Sequence, residues 1–161
     1  MDMKHPGRDF SPSRIPRRAS HPSSAETPTF AWPVRVYWED TDAGGVVYHA
    51  RYLHFLERAR TEWLRASGVG QQDLRAGSGV VFVVHAMELR FNAPARLDDL
   101  LTATVVPIER RSASFIVAQE LRREPEARAL VEARVRVACL DAAAFRPRPI
   151  PEHLLDVIAN P

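Results

Sequence analysis

The chain has one cysteine, Cys139, and one lysine, Lys4. A single thiol rules out an intrachain disulfide and suits a reducing cytoplasm. No uninterrupted apolar run exceeds Val80–Val84, far short of the ~20 residues that a membrane-spanning helix needs. The first residues are basic but no apolar stretch follows them, so they do not read as a signal peptide. The sequence contains no Walker A pattern, GxGxxG, HExxH or CxxC, and neither a cofactor nor a metal is expected. Excess charge is also scarce. The net charge is +2, and residues 1–30 carry five basic and three acidic side chains, which leaves 17 of each sign in the remainder. A formally neutral domain is a poor binder of duplex nucleic acid, which needs clustered positive charge.

What is present divides into two parts. Residues 1–30 hold five prolines and many serines but few large apolar side chains, a composition expected to remain a disordered tail. The cluster from Arg14 to Arg18 suits either solvent or contact with anionic lipid. Residues 31–161 read as one domain with a sizeable core. A first strand is expected over Val34–Trp38. Helical spacing begins near Tyr48, with Tyr52, Phe55, Leu56, Ala59 and Trp63 on one apolar stripe and Gly68 placed to end the helix. After Gly77 the period changes to two. Strands are expected over Val80–Phe91, Leu100–Glu109, Ala113–Arg122 and Val131–Cys139, with a short helix over Glu152–Ile158. One helix followed by a run of strands predicts an α+β layout, the helix packed on an antiparallel sheet.

The stretch EDTDAGGVVYHARYLHFLERARTEW concentrates the chemistry. It places Asp40 and Asp42 before a double glycine and the start of the helix. A calcium loop is excluded, because its register would put Arg51 where a bidentate glutamate is required. An aspartyl-phosphate site is disfavoured, because the lone lysine lies in the tail. His49 and His54 are five residues apart and face different sides of a helix, so they do not form a zinc pair. A metal-free use of carboxylate remains. Gly44 and Gly45 permit a sharp bend. The first N–H groups of the helix lack internal partners and carry its positive dipole end. A carbonyl placed there would gain an oxyanion site, and a nearby carboxylate could attack it or activate a water. The plainer alternative, an aspartate that only caps the turn, stands beside this one.

The segment WPVRVYWEDTDAGGVVYHARYLHFLERARTEWLR, continued by FVVHAMELRFNAPARLDDLL and DAAAFRPRPIP, resembles the tol–pal-associated acyl-CoA thioesterases of the 4-hydroxybenzoyl-CoA thioesterase group. The resemblance covers roughly residues 32–153. It implies a hotdog fold, a long helix wrapped by a curved antiparallel sheet, and assembly as a homodimer or homotetramer. It implies acyl-CoA as substrate, with acyl carrier protein as a further partner, in the cytoplasm or at most peripheral to the inner membrane. The motif's catalytic carboxylate corresponds to Asp42. Its oxyanion donor corresponds to the backbone N–H of His49 or Tyr48, and the His49 side chain has a counterpart in the motif. Contacts to CoA, partly from a neighbouring subunit, correspond to Arg110, Arg111, Ser112 and Ser114. Trp38 replaces a tyrosine common in relatives.

Other polar residues are expected to be quieter. His85 reads as structural or pocket-lining, and Cys139 as an inert buried thiol. Glu57 ranks below Asp42 as a catalytic acid. Two rival functions stand beside hydrolysis: a hotdog hydratase, and a non-catalytic module for acyl carrier protein or envelope partners.

Overall fold

The computed structural model describes residues 29–126 and 128–158. The expectation of a disordered tail concerns residues that, apart from 29 and 30, lie outside this range. Five strands form one antiparallel sheet: β1 (Phe30–Arg35), β2 (Val80–Phe91), β3 (Leu100–Arg111), β4 (Ser114–Arg123) and β5 (Ala129–Asp141). Their order across the sheet is β1-β3-β4-β5-β2. The long helix α1 (Arg51–Ala66) packs on β1 and β3, and a shorter helix α2 (Gln71–Ser78) packs on β2. This is the expected α+β hotdog arrangement.

The apolar stripe dictates how α1 sits. Tyr52, Phe55, Leu56, Ala59 and Trp63 are all buried, as is Leu64. Each large side chain taken from water contributes about 1.5–3 kcal/mol. The helix ends where expected: Gly68 adopts φ +79°, a left-handed conformation that glycine reaches without a Cβ clash. Period-two alternation gives β5 its core face, with Val131, Ala133, Val135, Val137 and Cys139 inside.

Three expectations need correction. The first strand runs over Phe30–Arg35 rather than Val34–Trp38. Pro33 is accommodated because β1 is an edge strand. Trp38 instead enters a 3-10 turn, Trp38–Asp40. Helix α2 was not anticipated, since Leu74 is its only buried residue and one apolar anchor shows no period. The terminal helix contracts to a 3-10 turn over Glu152–Leu154.

A buried polar bridge fastens α1 to the sheet. Arg60, only 6% exposed, donates from Nη1 to Gln119 Oε1 at 2.6 Å. Gln119 Nε2 donates to the carbonyls of Leu56 on α1 and Thr104 on β3, at 3.1 and 3.3 Å. Cys139 is fully buried, and burial pushes its thiol up from the ordinary value. Native protein at neutral pH should therefore resist alkylation by iodoacetamide and react about stoichiometrically once unfolded. Rapid labelling of the folded chain, followed by mass spectrometry, would contradict the packing.

Candidate functional site

The acidic turn is built on Asp40. The residue is 1% exposed, and both carboxylate oxygens are hydrogen-bonded. Oδ2 accepts the Tyr37 N–H at 2.9 Å, and Oδ1 accepts Arg51 Nε at 2.7 Å and Nη2 at 2.6 Å. Its backbone carbonyl accepts the Tyr48 N–H at 2.9 Å. One residue thus ties the exit of β1, the turn and the entrance of α1 together. Glu39 adds a second, exposed contact to Arg51 at 3.2 Å.

Asp42 is placed differently. Its backbone closes the turn, with the Asp42 N–H donating to Val46 O at 2.9 Å and the Gly45 N–H to Asp42 O at 3.0 Å. Its Oδ1 accepts the Gly44 N–H at 2.8 Å. Oδ2 has no partner among the described residues, and the side chain is exposed. Oδ1 thus caps the turn, and Oδ2 is left open to solvent. The glycines have distinct reasons to be there. A Cβ on Gly44 would stand 3.0 Å from Asp42 Oδ1, and Gly45 adopts φ +73°.

The start of α1 faces this turn. Ala50 stands at the cap position and no side chain caps the helix. Of the two N–H groups expected as oxyanion donors, that of Tyr48 is bonded to the Asp40 carbonyl. The N–H groups of His49 and Ala50 have no acceptor among the described residues. The His49 ring lies against Tyr48, centroids 4.4 Å apart. One helical turn inward, the buried Tyr52 hydroxyl accepts the Ala95 N–H at 2.9 Å. Burial pushes the Tyr52 pKa up, the Ala95 bond opposes this, and the negative charge of nearby Asp42 adds a smaller upward push.

The sequence and the scaffold match a known group of proteins. The sequence profile of the thioesterase-like superfamily matches residues 36–158, well over half of the chain. The chain belongs to the thioesterase-like superfamily. It is 47% identical over 129 residues to the acyl-CoA thioester hydrolase YbgC of Escherichia coli O6:H1, covering 80% of this chain and 95% of that one. It is 46% identical over 125 residues to the acyl-CoA thioesterase YbgC of Haemophilus influenzae, covering 78% and 90%. Among solved structures, a probable thioesterase from Bartonella henselae is 38% identical with a TM-score of 0.72, covering 77% of this chain and all of that one. This thioesterase is accordingly a hydrolase, as the sequence implied.

The four residues expected to contact CoA sit elsewhere in the chain's own fold. Arg110, Arg111, Ser112 and Ser114 form the β3–β4 hairpin, whereas the acidic turn borders the opposite end of β3, near Asp98 and Asp99. β3 spans Leu100–Arg111, roughly 35 Å at ~3.3 Å per residue. One thioesterase chain therefore does not bring the two sets together. Arg110 donates to Leu155 O at 3.2 Å, and the Ser112 carbonyl accepts the Ile150 N–H at 2.8 Å. Arg111, with its side chain 62% exposed, pairs with Glu109 at 2.8 Å. Ser114 opens β4 opposite Arg111 and Ala138.

Sequence reasoning missed two residues here. Asp40 was the lesser aspartate of the motif, and nothing in its spacing announced a buried pair with Arg51. Arg60 falls one turn after Leu56 on the flank of the apolar stripe, and nothing in its spacing announced that it is buried. His85 is exposed at a register shift in β2 rather than lining a described cavity. Among the described residues no cluster could hold a metal ion.

The two aspartates should separate in stability. Asp40→Asn removes the charge from a buried pair and should lower the unfolding free energy by about 2 kcal/mol. Asp42→Asn, on an exposed side chain, should cost under ~0.5 kcal/mol. Urea unfolding of both variants checks this, and the reverse ranking would mean that the anchoring role belongs to Asp42.

Proposed function

We propose that the protein hydrolyses acyl-CoA thioesters to free acid and CoA, with Asp42 as the reacting carboxylate and the His49 N–H as oxyanion donor. The observation that carries this reading is the pairing of Asp42 Oδ2, without a partner, with an uncapped helix start. A thioester carbonyl oxygen resting at the start of α1 would accept the His49 N–H as negative charge develops there. Asp42 either takes a proton from the water that adds to the carbonyl or adds to it directly, giving an anhydride that water then opens. In both cases the C–S bond breaks, and sulfur leaves as the CoA thiolate and takes up a proton. The names of the YbgC relatives support acyl-CoA as the substrate.

The working unit in this reading is at least a dimer joined along β2, placed in the cytoplasm in association with the tol–pal system. β2 is a twelve-residue edge strand with Val84 45% exposed, a long open edge of the kind that proteins pair or protect. In a single chain Asp42 is open to water and Trp38 beside it is 79% exposed, which fits a site completed by a second copy. The β3–β4 hairpin of that copy is the proposed CoA contact. This accommodates the separation of the hairpin from Asp42 within one chain.

Asp42→Asn should lower kcat by ~10²–10⁴-fold with an unchanged fold, because Asn is nearly isosteric but is neither an effective base nor an anionic nucleophile. Release of CoA from acyl-CoA, followed with a thiol reagent, measures it. A loss smaller than tenfold would remove Asp42 from the chemistry. Arg111→Ala should raise KM for acyl-CoA about tenfold with kcat nearly unchanged. A phosphate contact is made equally in ground and transition states, and competition from Glu109 places it at the weak end of charge-assisted bonds. Thioesters without the nucleotide should be hydrolysed as before, and an equal defect on both substrate types would assign Arg111 to the subunit contact.

A further inference from the structure

Beneath α1 lies a cavity of about 290 Å³. That is roughly twice the ~150 Å³ that holds a benzene ring. Trp63, Leu64, Phe82 and Phe115 supply apolar walls, and Glu57 and Arg60 supply the charge. The lining reaches the free edge of the sheet at Val83 and Val84.

Arg60 is the unusual member. An arginine has five N–H donors. This one uses two, on Gln119 Oε1 and Glu57 Oε2. Its Nε makes no hydrogen bond among the described residues. No fully buried side-chain nitrogen is left without a partner, so Nε is reachable by a water-sized molecule although the residue as a whole is 94% enclosed. A buried cation costs several kcal/mol unless its donors are satisfied. Arg60 lines the cavity, so an acceptor bound there would have its remaining N–H donors within the same wall. Glu57 already balances the charge, so a neutral oxygen fits better than a second carboxylate, which would stand beside Glu57. Burial weakens the protonated form of Arg60 while Glu57, whose own side chain is half exposed, strengthens it.

We propose that this cavity is the acyl subsite for the thioester cleaved at a second copy's Asp42, and that Arg60 selects short acyl groups carrying a neutral hydrogen-bond-accepting oxygen near the far end. The proposal rests on the thioesterase reading and on pairing along β2. Within one chain the subsite lies well away from its own turn. Arg60 lies nine residues beyond Arg51, about 13 Å along α1 at ~1.5 Å per residue, further than a short acyl group reaches. A copy joined at β2 borders the side of the cavity that Val83 and Val84 line.

The test compares hexanoyl-CoA, 5-oxohexanoyl-CoA and adipoyl-CoA. Wild type should favour the oxo substrate over both others in kcat/KM by about ten- to a hundredfold. Arg60→Met should collapse that preference, and Arg60→Lys, which keeps the charge but not the fork, should retain only part of it. Equal losses on all three substrates would assign Arg60 to the fold alone, and a preference for adipoyl-CoA would overturn the neutral-oxygen class. Should Arg60→Met fail to fold, binding decides. In a Trp32→Phe, Trp38→Phe background, 5-oxohexanoate should change Trp63 emission and hexanoate should do so at least tenfold more weakly, whereas equal affinities would refute the selection.

Mixing Asp42→Asn chains with Arg60→Met chains tests the sharing of sites. The mixture should regain selective hydrolysis, since each mixed dimer pairs an intact Asp42 with an intact Arg60 from the other copy. No selective recovery would place the subsite in the same chain as its carboxylate. If wild type releases no CoA while 5-oxohexanoate still binds at Trp63, the hydrolase reading fails and the ligand class of the cavity stands.

Discussion

The site depends on one buried ion pair. Asp40 has no access to water, and its carboxylate is divided between the Tyr37 N–H and the Arg51 guanidinium. Its carbonyl holds the Tyr48 N–H. The turn carrying Asp42 hangs between these attachments, so the position of the exposed carboxylate relative to the helix start is set by a buried residue. The same contact decides which backbone donor remains free, because binding Tyr48 leaves His49 as the first open N–H.

Helix α1 then relates distant parts of the molecule. Its first turn borders the acidic loop, its middle carries Glu57 and Arg60, and Trp63 near its end packs against Phe115 at a centroid distance of 6.2 Å. Gln119 reaches from β4 to the Leu56 carbonyl and receives Arg60, so the helix is fixed to the sheet by directed bonds as well as by apolar contact. Directed bonds fix rotation about the helix axis, which a smooth apolar stripe alone leaves loosely specified.

Much of the fold was legible. The helix followed from Tyr52, Phe55, Leu56, Ala59 and Trp63, and β5 from its alternation with Glu132, Arg134 and Arg136, because burial on one face writes a period into the chain. What had no period was not legible. Helix α2 has a single buried anchor, and Pro33 stands within a strand because only an edge tolerates it. Around the turn, the placing of Asp42, His49 and the glycines beside the helix start was legible from the motif, whereas the anchoring role of Asp40 was not. That role depends on a bond to Arg51 eleven residues away and on a carbonyl, and sequence spacing records neither. The separation of the β3–β4 hairpin from the acidic turn is likewise a property of strand length, visible only once β3 is seen to run from one to the other.

The two edges of the sheet are unlike. β2 offers twelve residues, whereas β1 offers six, with Pro33 lacking a backbone donor at its middle. A sheet that can be extended from one side only accepts a single neighbour there and then has nothing further to offer. In the proposed pairing along β2, two such sheets would close on themselves about a two-fold axis, with a short, proline-blunted strand at each outer end. Growth into a filament would then be barred by the composition of a strand that takes no part in the contact.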